Sequence, residues 1–485
     1  MKSPFNRRDF LRLSMSVAGV GLLASCAPQP PAQAPQPTKA PEAPKAAEPT
    51  KPSAPAPAPA GAVKLEGKTG TMWGLQYDPH IESYNRMAKL FKEKTGATVK
   101  VEPQGWPLEP KILAAISAGT VPDVVCVMPT ANLNLIIQKA FMPLTDMVFK
   151  PMGIGPVEKT FVKAGINNWL WQGEYYGVPI EMSYVGWTVC IPADDVKALG
   201  LDKQYPPGNG QPWFDSYESM WELAKKLMKK EGDKVTRWGI TSQGWEWFSY
   251  WGILASLLVA SNKKPWDAEK QKMNLDGEEA VKAIQLFVET PVKMGIETQL
   301  DKNGMDAGLA GQAALVRANF APALKEAKQL GINYDVVASP KVLPPKEALY
   351  ADNCSWSVAG LKAAKNQDLA IEYLKMMCTK EGQVAYNKIY GGNLCPAFIP
   401  LHGVYDHFDD PSPTGPYANV HDLYVKQVFP RMSVIDFPDW NALGAKTVAA
   451  FADIRQGKKT AKEAAQFMQQ GADEAWKEFK EKAKL

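Results

Sequence analysis

From Thr69 onward the hydrophobic positions switch back and forth between two spacings. TGTMWGL reads as a strand; IESYNRMAKLFKEKTG then carries Ile81, Tyr84, Met87, Ala88, Leu90 and Phe91 along one helix face, closed by Gly96. ATVKV is the next strand and LEPKILAAISAG the next helix. PDVVCVM follows as a continuous apolar run of the kind covered on both faces. This alternation predicts a parallel α/β unit.

Four later helices announce their starts. Asp215 precedes Glu218 by three ahead of MWELAKKLMKK, and Asp276 precedes Glu279 ahead of AVKAIQLFVET. Asn366 opens QDLAIEYLKMM, and Thr460 precedes Glu463 ahead of AAQFMQQGADEAWKEF. Each pattern sets a capping acceptor before an amphipathic run. The chain is α/β throughout and richer in helix toward its C-terminus.

Before Thr69 the pattern is different. Lys2, Arg7, Arg8 and Arg12 precede an apolar run from Leu13 to Ala24, the layout of an export signal. The run is too short for the ~20 residues a membrane-crossing helix needs. Arg7-Arg8-Asp9-Phe10-Leu11 resembles a twin-arginine motif, and Leu23-Ala24-Ser25-Cys26 resembles a lipobox, which implies acylation at Cys26. Residues 27–62 are almost entirely Pro, Ala, Lys, Glu, Gln and Thr. Such a segment buries too little apolar surface to fold and favours extended polyproline conformations, so it predicts a stalk.

About 420 residues follow the stalk, enough for two lobes with separate cores. The net charge is +4; residues 1–25 hold four basic side chains and one acid, so the chain without them stands at +1. Near neutrality offers no electrostatic footprint for nucleic acid. Beyond Cys26 the cysteines are Cys126, Cys190, Cys354, Cys378 and Cys395, an odd set without metal or disulfide spacing. Cys126, Cys190 and Cys378 sit in apolar runs and read as buried packing, and Cys354 with Cys395 is the one pair to weigh as a bridge. No cofactor or metal is expected. His80, His402, His407 and His421 form no ligand pair and read as loop residues, Asp194-Asp195 and Asp409-Asp410 read as solvated, and neither a phosphate loop nor a Gly-x-Ser-x-Gly elbow occurs.

Several segments together resemble solute-binding proteins of the maltose-binding type that serve ABC importers. They are GTMWG, KTGATVKV, AISAGTVPDVVCV, QKAFMPLTDMV, GEYYGVPIEMSYVGWTV, DSYESMWELAKKLMKK, LDGEEAVKAIQLFVE, GLAGQAALVRANF, the NCSWSVAGLKAAKNQDLAIEYLKMM stretch and GKKTAKEAA, in family order over nearly all of 67–480. The chain departs from the family at Val189-Cys190, where Tyr-Asn is usual, and at Tyr217-Glu218-Ser219-Met220-Trp221, where Thr-Trp is usual. The resemblance implies a two-lobe clamshell fold with crossing hinge segments. It divides the chain into a signal (1–25), a lipid-anchored stalk (26–62), lobe one (63–182 and 335–380) and lobe two (183–334 and 381–485). It also implies an extracytoplasmic location at the cell membrane, delivery of solute to transmembrane permease subunits, and no enzymatic activity.

A groove for sugars needs flat apolar faces and fixed polar groups, and the chain has 15 tryptophans. Trp73, Trp106 and Thr130 follow strand ends, where open α/β sheets bind ligands. Tyr184 and Trp187 lie just past the crossing strand. Similarity to maltose-binding proteins adds Trp245 and Trp247 in SQGWEWFSYW, together with Asn319, Trp356, Asn393 and Trp440. Trp221, Trp266 and Trp476 read as packing, and the spacing of Trp245, Trp247 and Trp251 sends at least one of them to the core. These residues favour a sugar or oligosaccharide. The competing readings are a polyamine or peptide, with Asp78, Glu181 or Glu246 as counter-charge, and a carbohydrate-active lipoprotein enzyme using two carboxylates.

Overall fold

The computed structural model describes residues 65–485 apart from 129–131, 183–187, 206–213, 244–245, 268, 303, 318–326, 341, 343–349, 352–354, 388–395, 409–410, 414–415, 434–439 and 484–485. Cys26, the stalk, and Cys354 with Cys395 lie outside the described residues. In chain order the elements that matter are β1 (Thr69–Leu75), α1 (Asp78–Thr95), β2 (Thr98–Gln104), α2 (Glu109–Ala118), β3 (Val124–Val127), β4 (Val178–Met182) and β5 (Thr188–Pro192). They continue with α3 (Tyr217–Leu227), β6 (Lys229–Glu231), β7 (Lys234–Thr241), α4 (Glu246–Ala260), β8 (Ala313–Arg317), β9 (Tyr334–Ala338) and β10 (Ser355–Gly360). The last are α5 (Gln367–Met377), α6 (Lys380–Asn387), α7 (Trp440–Arg455) and α8 (Ala461–Ala483).

Two five-stranded sheets form, ordered β2-β1-β3-β10-β4 and β9-β5-β8-β7-β6. β1, β2 and β3 run parallel, as the helical crossovers require, while β10 is antiparallel to both β3 and β4. In the second sheet β7 and β8 are parallel, and β5 runs against β8 and β9. Each sheet has its own core. Met72, Phe91, Val125 and Tyr373 belong to the first; Ile191, Ile240, Leu254, Phe287, Leu315 and Phe451 belong to the second.

Local chemistry explains the elements. Gly96 closes α1 at φ 77°, where a side chain would be strained. Gly74 lets the ring of Tyr84 approach so closely that an added Cβ would lie 2.4 Å from it. The Gly-x-x-Pro-Asp entry to β3 has a bonding reason: buried Asp123 accepts from the backbone N–H groups of Thr71 (2.8 Å) and Asn366 (2.9 Å). One carboxylate thus ties β1, β3 and the start of α5 together.

Of the four cap patterns, Thr460 and Glu463 form the reciprocal pair as expected. Before α3 the box instead sits one residue later, between Ser216 and Ser219. Gly277 occupies the cap position expected for Asp276, and Glu279 pairs with Lys263. Asn366 stands at its cap position but turns its amide to the carbonyl of Thr69. Cys126, Cys190 and Cys378 are buried, and burial pushes the Cys190 thiol up to about 12.

Other sequence expectations shift. β9 belongs to the second sheet, so the stretch 335–380 begins inside that lobe's sheet. α6 packs on α1, where Ser83 Oγ donates to the Tyr386 carbonyl and Arg86 Nε to that of Ala385. Asp195 lies in a short helix and pairs with Arg237 and Lys229 rather than standing in solvent. His421 and His407 are buried, with His421 on a helix (Pro416–Leu423), and His80 is buried in α1. Ring packing among His402, Tyr405, Phe408 and His421 is what removes the late histidines from solvent.

Candidate functional site

Strand direction locates the sheet ends at which α/β folds bind ligands. β1, β2, β3 and β4 all point their C-terminal ends the same way, and the chain leaves β4 at Met182 to enter β5 at Thr188. Register pairs Thr188 with Ala338, so the return passage from β9 to Ser355 of β10 leaves the same end of the second sheet. That end also carries the C-termini of β7 and β8, at Thr241 and Arg317. Both crossings therefore join the two sheets at the ends where α/β sheets take ligands.

On the first sheet, Trp73 is half-buried and its indole N–H donates to Glu102, its register partner on β2, at 2.8 Å. Trp106 lies two residues beyond β2 and is half-buried. Trp356 is 5 % exposed and sits edge-on against His80, ring centroids 4.7 Å apart, so most of its surface is core packing.

Around it the structure gathers a cluster that sequence reading missed. Tyr77 meets His80 edge-on at 5.4 Å, and Tyr84 and Tyr386 close the far side of the imidazole. Tyr386 Oη donates to Glu181 Oε2 at 2.8 Å. Burial lowers the His80 pKa to about 3 and, with the Glu181 charge adding to it, holds the Tyr386 phenol well above its ordinary value. The imidazole is neutral and the phenol stays a donor. Tyr77 alone had a signal, lying just past a strand end.

On the second sheet the turn from β7 into α4 is tied down at every described residue. Gln243 exchanges hydrogen bonds with the backbone of Leu300, and Gly304 N donates to the Gln243 carbonyl. Glu246 forms a 2.7 Å ion pair with Arg455, which also reaches Glu297 at 2.9 Å; all three side chains are sealed from solvent. Glu246 is thereby spent as a counter-charge for a cationic ligand. Arg317, at the end of β8, is 1 % exposed with its guanidinium over the rings of Phe287 (4.7 Å) and Tyr217 (5.3 Å).

Trp247 lies in the first turn of α4 and Trp440 opens α7. Thr130, Tyr184, Trp187, Trp245, Asn319 and Asn393 lie outside the described residues. Trp221 and Trp251 are core, and Trp266 packs edge-on against Trp476 at 4.6 Å. Among the described residues no group of His, Cys, Asp and Glu is arranged to hold a metal, and no helix is long and apolar enough to cross a membrane.

Two α/β sheets joined by crossings at their ligand-binding ends define a two-lobed binding protein. Residues 86–398 match the profile of the bacterial extracellular solute-binding proteins, and the chain belongs to that family. Its place is therefore extracytoplasmic. No curated protein matches the sequence. Among solved structures, the ABC substrate-binding protein of Listeria monocytogenes in complex with cycloalternan superposes with a TM-score of 0.65 at 16% identity, covering 85% of this chain and 99% of its own. The GacH receptor of Streptomyces glaucescens, whose structures include a complex with acarbose, gives 0.65 at 16%, covering 85% and 99%. The maltose/maltodextrin-binding domain of Bdellovibrio bacteriovorus bound to maltotriose gives 0.60 at 14%, covering 84% and 99%. These are two-lobed maltose-binding-type folds, and this chain shares that fold.

Proposed function

We propose that this protein is the solute-binding lipoprotein of an ABC importer, tethered through lipid on Cys26 and a Pro/Ala-rich stalk, that captures a sugar or oligosaccharide between its lobes and delivers it to the permease. The observation that carries the reading is that the chain passes from Met182 to Thr188 and from Ala338 to Ser355 at the end of the first sheet toward which Trp73 and Trp106 lie. The ligands named for the similar structures, cycloalternan, acarbose and maltotriose, point to the same substrate class. The ion pair of Glu246 with Arg455 weighs against a cationic solute, because it removes one of the acids such a ligand would need.

A thermal-shift screen over sugars, polyols, polyamines, amino acids and peptides tests the proposal, since a ligand that binds only the native state stabilises it by RT ln(1 + [L]/Kd). The expected hit is an oligosaccharide whose binding barely changes with ionic strength. Polyamine hits weakened by salt would overturn the substrate class. Release of sugar products would overturn the assignment as a binding protein. Cys26→Ser is expected to move the protein out of the membrane fraction, and unchanged membrane association would remove the anchor from the proposal.

A further inference from the structure

The chain passes between the two cores a third time, after α6. Phe398 and Leu401 belong to the first core, whereas their neighbours Ala397, Phe408 and Val420 belong to the second. The passage runs antiparallel to residues 160–162. Val162 N donates to the Ala397 carbonyl (2.8 Å), Ile399 N donates to that of Thr160 (2.8 Å), and the rings of Phe161 and Phe398 meet at 5.6 Å. Beyond it the helix Pro416–Leu423 packs on β9 of the second sheet.

Two histidines fasten this passage in opposite roles. His402 Nε2 lies 3.0 Å from the Pro396 carbonyl, and Gly403 N lies 2.9 Å from His421 Nε2. A carbonyl can only accept and a backbone N–H can only donate, so His402 carries a proton on Nε2 and His421 does not. The turn explains why a side chain is needed. Leu401, His402 and Val404 donate their N–H groups to carbonyls within the turn, while Gly403, at φ 74°, gives its own to His421. Leu401 is rooted in the first core and His421 is buried on a helix of the second lobe, so this bond ties one lobe to the other.

The surroundings of His421 make it the sensitive member of the pair. The rings of Tyr405 (5.5 Å), Phe408 (5.6 Å) and His402 (6.2 Å) stand edge-on around it. Asp422, the next residue, is already shared between Tyr405 Oη (2.6 Å) and Lys426. Asp406 lies 3.6 Å from His407, and β9 carries Tyr334 and Asp335 beside the helix. His402 still donates to Pro396 when it gains a second proton. His421 differs, because a proton on Nε2 replaces the acceptor by a donor that faces another N–H, and the bond is lost outright.

We propose that this third passage is a pH-sensitive latch between the lobes, which neutral His421 holds shut at Gly403 and which acid releases. A protein outside the cytoplasm takes the pH of its surroundings, and histidine is the side chain that changes charge over the range such a device needs. The inference rests on the two-lobe fold and not on the identity of the solute, so its failure leaves the sugar reading untouched.

The test uses the full-length protein without ligand at pH 7.5 and pH 5.0. Hydrogen exchange is read as protection factors, which remove the intrinsic effect of pH, at residues 397–405 and for reference at β7 and β8. Small-angle scattering reads the spread of the lobes. Protection at Gly403 is expected to fall tenfold or more at pH 5.0 while β7 and β8 change less than twofold, and the radius of gyration is expected to rise. His421→Gln supplies an acceptor that does not titrate and is expected to abolish both changes, whereas His402→Gln keeps a donor for Pro396 and is expected to retain them. Equal protection of Gly403 at the two pH values in the native protein overturns the inference without any variant. A fall that persists in His421→Gln, or vanishes in His402→Gln, assigns the effect to another group and overturns it too. Faster exchange at unchanged dimensions reduces the latch to a local turn and also overturns it. If His421→Gln does not fold, the ring resonances of His421 in the native protein are titrated instead, and a midpoint that departs from the loss of protection at Gly403 overturns the inference.

Discussion

Tyr386 Oη and Glu181 Oε2 are joined by a 2.8 Å hydrogen bond that ties α6 to the strand leading into the first crossing. The same helix satisfies the open edge of that strand, since Gln383 Nε2 donates to the Pro179 carbonyl and Asn387 Nδ2 to that of Ile180. β4 is the edge of its sheet, and α6 supplies the donors that a further strand would have supplied. Tyr386→Phe removes this hydrogen bond to the Glu181 carboxylate. It is expected to lower stability by about 1.5–3 kcal/mol, the range for hydrogen bonds to charged groups. Urea unfolding at pH 7 reads this as a lower midpoint with an unchanged slope; an unshifted midpoint would show that the bond contributes nothing.

Acid should lower stability in part through His80. Burial lowers its pKa from 6.5 to about 3, so the folded state binds fewer protons than the unfolded chain between those values. Its contribution is therefore present above pH ~6.5 and is lost as pH falls toward 3, at up to about 1.4 kcal/mol per pH unit. His402, also lowered by burial, acts in the same direction. A His80→Phe protein is expected to lose less stability than the native one between pH 6.5 and pH 4.5. Parallel loss in both proteins would assign the acid sensitivity elsewhere.

Asp123 is expected to be among the costliest single positions. Asp123→Ala leaves the N–H groups of Thr71 and Asn366 without their acceptor inside the protein, at about 1–3 kcal/mol each. Thermal unfolding of the variant checks this, and a change within ~0.5 kcal/mol, the usual range for surface positions, would refute the role given to the motif.

Helix geometry makes one prediction about ligand length. Fifteen residues separate Trp440 from Arg455 along α7, about 22 Å of helix, and Arg455 is bonded to the residue that opens α4. The first turn of α4, which carries Trp247, is thus bonded to the far end of the helix that Trp440 opens. Trp247→Ala is expected to cost about 1–3 kcal/mol of binding with short and long oligosaccharides alike. Trp440→Ala should matter only when the ligand is long. Equal losses from both variants with a disaccharide would contradict this geometry.

Much of the architecture was legible in the sequence because it rests on local spacing. The alternation of TGTMWGL, the Ile81 to Phe91 stripe and PDVVCVM reports which face each element buries, and burial periodicity is what a strand or a helix is in sequence terms. Thr460 and Glu463 were legible as a cap because their partners are three residues apart. The position of the groove followed from strand order, which the run of βαβ units already implies.

What only the tertiary structure decided are relationships between residues far apart in sequence. Ser216 took the cap from Asp215 because one residue of offset depends on how α3 is approached. Trp356 was read as a ligand face, yet it spends its surface on His80, a ring far from it in sequence. Glu246 looked available to a cation, and Arg455, more than two hundred residues later, neutralises it. Propensity and periodicity act over a turn of helix or a pair of strand residues, whereas the charge state and exposure of a buried group are set by whichever distant side chains the fold packs around it.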